Sequence, residues 1–145
     1  MKYPKQKWLD KKSNKPNRKK LIQKTSVLWS RIIKTHGRCA ICSSISSVDA
    51  HHIVRKGKAI HPGWFLLENG IPLCVDCHRD GIHSMHYPTT RVFQKKINTW
   101  LNKKDLTYEV LYSMCHTTQR MDIFTIQDIY SALRIVASQL GQASP

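Results

Sequence analysis

The sequence is poor in acidic residues, and this scarcity is its first constraint on function. Its 145 residues contain nine Asp and Glu against 24 Lys and Arg, which gives a formal net charge of +15 at pH 7. Such an excess of positive charge makes a polyanion the natural partner of the chain. A nucleic acid and an anionic membrane surface both meet this requirement.

Long apolar runs are also missing. No run approaches the ~18 residues that a membrane-spanning helix needs, so we expect no membrane insertion. The N-terminal segment carries lysines but has no apolar stretch behind them, and therefore predicts no secretory signal. These absences favour nucleic acid as the polyanion and a cytoplasmic location.

The number of cysteines is odd, which argues against a disulfide framework. Four of the five cysteines form two C-x-x-C pairs, Cys39–Cys42 and Cys74–Cys77, and Cys115 is left over. Each C-x-x-C turn lets two thiolates reach one ion, and two turns complete a closed tetrahedral Zn²⁺ site. We therefore expect reduced thiols in a reducing compartment. Cys115, in an apolar stretch, is expected to be a small core residue.

Composition and periodicity divide the chain into four segments. Residues 1–20 hold nine Lys or Arg and one acid, which predicts a disordered basic arm able to settle on phosphates. Residues 21–37 belong to a helix, residues 38–87 to a small zinc-stabilised core, and residues 88–145 to a helical region. The predicted fold class is α+β.

The elements within these segments follow from local patterns. An apolar stripe predicts a helix from Lys20 to His36, ended by Gly37. Short strands are predicted at Val48–Val54 and Ile71–Leu73, followed by a short helix from Cys77 to about His86. Three helices are predicted after Pro88: one capped by Thr89 or Thr90 and running to Asn102, one capped by Asp105, and one opened by a capping box at Thr125–Asp128 and running to Gly141.

Two adjacent histidines, His51 and His52, lie in the first predicted strand. Successive side chains of a strand point to opposite sides, so the pair cannot easily bind one ion. One histidine should face a metal ion while the other faces an attacking water, because a neutral histidine accepts protons near pH 7. The alternative is that one of them joins the zinc site. Four thiolates already complete that site, so spare histidines need another explanation.

Three separate elements carry a family resemblance. Asp49-Ala50-His51-His52-Ile53, then Asn69-Gly70-Ile71-Pro72-Leu73-Cys74, then Cys77-His78 occur in order. Together they resemble the HNH nucleases, a branch of the ββα-metal (His-Me finger) endonucleases. The resemblance covers the 48 residues from Cys39 to His86 and leaves both flanks outside it. It implies a ββα-metal core and metal-dependent hydrolysis of phosphodiester bonds in DNA.

The resemblance also implies roles for single residues. His51 would be a ligand of the catalytic ion, His52 the general base and His78 a second ligand. Asn69 would hold His52 in place through hydrogen bonds to the backbone of the opposite loop. His83 is a candidate third ligand, although a regular helix places it about 140° away from His78, unless Gly81 distorts the helix.

The identity of the catalytic ion stays open in the sequence. Histidine ligands suit Zn²⁺, Ni²⁺ or Mn²⁺ better than Mg²⁺, which prefers oxygen, but some members of the family use Mg²⁺. Four basic residues near the motif are predicted to bind phosphates with little sequence specificity: Arg55, Lys56, Lys58 and Arg79. The alternative function is a catalytically inactive, zinc-stabilised DNA- or RNA-binding protein. No feature of the sequence indicates an oligomeric state.

Overall fold

The computed structural model describes residues 17–57, 60–83, 87–116 and 121–142. Most of the predicted basic arm and Lys58 lie outside the described residues. The described part of the chain is α+β, as predicted, with helices around a two-stranded sheet. Its elements are α1 (Arg18–Lys34), β1 (Val48–His52), β2 (Gly70–Cys74), a π-helix (Cys77–Ile82), α2 (Tyr87–Asn102), α3 (Tyr108–Cys115) and α4 (Ile123–Gln142).

Helix α1 begins two residues earlier than the apolar pattern predicts. The side chain of Asn17 accepts a hydrogen bond from the backbone N–H of Lys20 and so caps the first turn. After the last turn, Gly37 adopts a φ of 70°, a conformation that suits glycine at a helix end. The buried stripe packs against α4 and the sheet, and consists of Thr25, Trp29, Ile32 and Ile33.

The sheet is a single antiparallel pair. Val48 pairs with Cys74 at one end, and His52 pairs with Gly70 at the other. Every residue of β2 is buried, whereas β1 is only partly covered. The register therefore places Cys74 at one end of the ladder and His51 and His52 at the other.

The three C-terminal helices exist as predicted, but all three start at other residues than expected. Helix α2 begins at Tyr87, so the predicted caps Thr89 and Thr90 lie inside it. Thr107, not Asp105, caps α3 by accepting a hydrogen bond from the N–H of Val110. Asp105 adopts a φ of 54° in the preceding turn. Helix α4 is already running at Thr125, whose N–H donates to the carboxylate of Asp122 at 2.7 Å. The capping-box pattern at Thr125–Asp128 therefore lies within α4 and does not mark its first residue.

Two apolar clusters hold the described residues together. The first joins three of the paired cysteines, Cys39, Cys74 and Cys77, and the sheet to α2 and α3, and includes Cys115 as the expected core residue. The second lies between α1 and α4, with Phe65 beneath them. Among the described helices, none combines the length and the apolar character needed to cross a membrane.

Candidate metal centres and active site

The four paired cysteines converge on one point. Their sulfur atoms all lie within 4.8 Å of one another, and the Cys42 and Cys74 sulfurs are 3.6 Å apart. Zn–S bonds of about 2.3 Å in a tetrahedron place sulfurs ~3.8 Å apart, so the geometry fits such an ion. The first turn is shaped by reciprocal backbone bonds of 2.9 Å from Ser43 to Cys39 and from Cys39 to Ser44. This four-cysteine cluster can hold a metal ion.

The pKa values of two thiols in the cluster favour a cation between the sulfurs. Burial opposes ionisation of Cys39, but backbone N–H groups of Cys42, Cys74 and Ile41 outweigh it and lower its pKa to about 7. Burial and the other three sulfurs raise the pKa of Cys77 far above the ordinary value. A positive charge between the sulfurs would offset the burial that opposes ionisation of Cys39 and Cys77.

A second cluster consists of three histidines. Ring nitrogens of His51, His78 and His83 also lie within 4.8 Å of one another, so this group too can hold a metal ion. His51 Nδ1 and His78 Nε2 are 3.1 Å apart, close to the ~3.4 Å that Zn–N bonds of about 2.0–2.1 Å impose in a tetrahedron. Each pair of rings has centroids 5.0 Å apart.

The π-helix explains how His83 reaches His78. The backbone N–H of His83 donates to the carbonyl of His78 at 3.2 Å, an i to i+5 bond that widens the turn. The side chains of His78 and His83 therefore lie on the same face of the π-helix, whereas a regular α-helix would place them about 140° apart. Gly81 supports this geometry, because a Cβ there would lie 2.3 Å from the Phe93 ring.

The environment lowers the pKa of two of the three histidines. Burial, followed by the charges of His78, His83, His52 and Arg55, lowers the pKa of His51 to about 4. Burial and His83 also lower the pKa of His78. Neutral imidazole is the form that binds metal ions.

His52 lies on the other side of the strand and has different partners. Its ring stacks on Trp29 with centroids 4.0 Å apart, and its Nε2 is 2.9 Å from the carbonyl oxygen of Trp64. A carbonyl only accepts, so Nε2 carries the hydrogen and Nδ1 keeps a free lone pair. Burial and the nearby Lys56 lower the pKa of His52 to about 4, and the ring is neutral at pH 7.

Asn69 ties together the backbone around His52. Its side chain is fully buried. Its Oδ1 accepts from the N–H of Val54 at 2.7 Å, and its Nδ2 donates to the carbonyls of Val54 and Gly63, each at 3.3 Å. These bonds link the end of β1 to the turn that precedes Trp64, so Asn69 fixes both sides of the His52 pocket.

Replacing Asn69 with aspartate is expected to destabilise the protein by about 2–4 kcal/mol. The new carboxylate oxygen would face the carbonyl oxygens of Val54 and Gly63, to which the amide now donates. The aspartate would therefore bring a buried negative charge next to two hydrogen-bond acceptors. Chemical denaturation measures the change. Asn102→Asp is the matched control, because Asn102 is exposed at the end of α2. Equal stabilities of the two variants would contradict the role of Asn69.

The predicted phosphate-binding residues do not share one channel. Lys56 lines a cavity of about 570 Å³ together with His52, whereas Arg55 lines a separate cavity of about 150 Å³ together with His51. Arg79 is exposed beside His78. Lys58 lies outside the described residues. Strand β1 ends at His52, and α1 lines the cavity of Lys56 whereas α2 lines the cavity of Arg55.

Sequence patterns did not identify Trp29 and Trp64 as neighbours of His52. Trp29 belongs to the apolar stripe of α1, whose periodicity predicted only a core position. Trp64 contributes a backbone carbonyl, and no side-chain pattern signals that role. The His61-Pro62-Gly63 turn marked the loop, but not the carbonyl that it presents.

No protein-family model matches the chain, and neither a curated protein nor a solved structure matches it. The likeness to the HNH nucleases therefore rests on the residues and their spacing.

Proposed function

We propose that the protein is a metal-dependent HNH endonuclease that hydrolyses phosphodiester bonds in DNA. One observation carries the proposal: a three-histidine cluster that can hold an ion lies beside a fourth histidine, His52, whose tautomer is set by Trp64. A zinc-binding module alone needs only the cysteines. The histidines and Asn69 form a second arrangement that structural zinc does not require.

The cluster of His51, His78 and His83 would hold the catalytic ion. A divalent ion at this position supplies Lewis-acid stabilisation of the phosphate and of the leaving oxygen. Three imidazole ligands favour Zn²⁺, Ni²⁺ or Mn²⁺, and Mg²⁺ is included in the test because water can supply the oxygen ligands that it prefers. The ββα-metal core would consist of β1, β2 and the π-helix.

His52 would act as the general base. Its free Nδ1 accepts a proton from water, and its Nε2–H donates to Trp64 throughout, so the carbonyl stabilises the imidazolium that forms. A pKa of about 4 keeps the base unprotonated at neutral pH. A phosphodiester anion bound nearby favours the protonated form and raises this pKa in the complex.

The four-cysteine cluster would hold a structural Zn²⁺. Cys39 and Cys42 precede β1, while Cys74 ends β2 and Cys77 opens the π-helix. One ion at this point would fix the relative position of the elements that carry the histidines. The reduced thiols fit the cytoplasmic location proposed for the protein.

The experiment is cleavage of supercoiled plasmid by wild-type protein and by His51→Ala, with EDTA, Mg²⁺, Mn²⁺, Ni²⁺ and Zn²⁺ in parallel. We expect metal-dependent nicking or linearisation by the wild type only. His116→Ala is the control, because His116 is an exposed histidine at the end of α3. Branched DNA, single-stranded DNA and RNA are tested alongside. Binding without cleavage of any of them would favour the inactive zinc-stabilised binding protein.

A further inference from the structure

A cavity beside His52 extends away from the HNH-like segment and along α1. It encloses about 570 Å³, and its walls include Ser26, Ser30, Arg31 and Lys34 of α1 as well as Lys56 and His52. One wall of the space that contains the proposed base is therefore built by a helix outside the 48 resembling residues.

A second cavity of about 430 Å³ continues in the same direction. It shares Val27 and Arg31 with the first cavity and reaches Lys24 on α1 and Tyr130 on α4. The shared residues make the two cavities one groove along the exposed side of α1. Val27 is 65% exposed in the middle of this groove, where it offers an apolar contact.

The charges of the groove are mostly positive and mostly free. Lys24 and Arg31 are exposed, and neither forms an ion pair within the part of the chain that the structure describes. Lys34 is bound to the carboxylate of Asp49 at 3.2 Å, and both side chains are about half exposed. Such an exposed pair is weak and can be exchanged for a phosphate.

We infer that α1 carries a phosphate-binding track for a DNA strand, formed by Lys24, Arg31 and Lys34, which leads the strand to His52. This inference rests on the proposed function for the identity of His52. Helix rise places Lys24 and Lys34 about 15 Å apart, a span of about four phosphates of one B-form strand. Ser26 and Ser30 line the first cavity together with Arg31 and Lys34, and their hydroxyls are further phosphate donors.

A polymeric anion fits this groove better than a small one. The cations are distributed along two adjoining cavities and do not converge on one point, which suits a repeating charge. The contacts would be to phosphate and sugar, because the groove presents no set of donors and acceptors arranged for base edges. The track therefore predicts affinity and orientation of the strand, with little sequence preference.

Binding of a labelled DNA duplex, measured by fluorescence anisotropy over a series of salt concentrations, tests the track. The assay contains no added divalent ions, so affinity is measured without cleavage. Lys24→Gln/Arg31→Gln is compared with Lys95→Gln/Lys103→Gln, which removes the same charge from exposed positions in and just after α2. We expect the track variant to reduce the slope of log K against log salt by about 2, and the control by much less.

A variant with the opposite expected sign separates the track from a general loss of structure. Asp49→Asn releases Lys34 and is expected to tighten binding and steepen the salt dependence by about one phosphate contact. Asp128→Asn, on an exposed position of α4, is its control and is expected to do neither. Equal slopes for the track variant and its lysine control, or tighter binding of a matched RNA duplex, would overturn the inference.

The outcomes for the track and for the endonuclease are distinguishable. If the slopes differ as expected but no nucleic acid is cleaved, the DNA-binding track is supported and the endonuclease fails. If plasmid is cleaved but the track variant binds like its control, the endonuclease is supported and the track fails.

Discussion

Replacing His52 with glutamine is expected to lower the rate of DNA cleavage by about 10²- to 10⁴-fold. The glutamine amide reaches as far as Nε2 of the imidazole, so it can still donate to the carbonyl of Trp64. It has no basic nitrogen at the position of Nδ1, and the proton of the attacking water loses its acceptor. The variant therefore removes the proposed base but keeps the hydrogen bond to the carbonyl of Trp64.

His52→Ala is expected to abolish cleavage as well, but it also removes the ring that stacks on Trp29. Glutamine is therefore the sharper test, with thermal unfolding and DNA affinity measured in parallel. Both should stay close to wild type, and His116→Gln should cleave normally as the histidine control. Wild-type cleavage by His52→Gln would exclude His52 as the base.

The elements that periodicity and short motifs specify could be predicted from the sequence. The apolar stripe of α1, its end at Gly37 and the two strands follow from local spacing, and the structure has them within a few residues. The proximity of the two cysteines within each C-x-x-C turn also follows from local spacing. The approach of the two turns to each other, which completes the four-cysteine cluster, depends on the sheet.

Features decided by tertiary contacts could not be predicted in the same way. The sequence suggested that Gly81 distorts the helix after Cys77, but not that an i to i+5 bond would align His83 with His78. That alignment depends on Phe93 of α2 packing over Gly81. The separation of Arg55 from Lys56 likewise depends on which helix covers each face of the sheet.

Cys74→Ser is expected to have the largest effect on stability. Cys74 ends β2, is almost fully buried and pairs with Val48 across the sheet. Losing one of four ligands would abolish tight binding of an ion whose apparent contribution to folding is about 10–16 kcal/mol in small zinc domains. Because whole domains are stable by only about 5–15 kcal/mol, the sheet and the π-helix should unfold.

Metal analysis and thermal unfolding measure this effect, and Cys115→Ser is the matched control. Cys115 is buried in the same apolar cluster, but its sulfur contacts the carbonyl of Gly63 at 3.5 Å and lies outside the four-cysteine cluster. A serine hydroxyl can make the same contact, so the control should retain its metal. Normal melting of Cys74→Ser with its full metal content would contradict a structural role for the cluster.

The two apolar clusters predict how far the unfolding caused by Cys74→Ser should spread. Cys74 belongs to the cluster of the sheet, α2 and α3, whereas α1 and α4 pack against each other in the second cluster. Hydrogen exchange should therefore lose protection first in β1, β2 and the π-helix, and later in α1 and α4. Simultaneous loss throughout would mean that the metal stabilises one cooperative unit. Sequential loss would show that α1 folds independently of the metal.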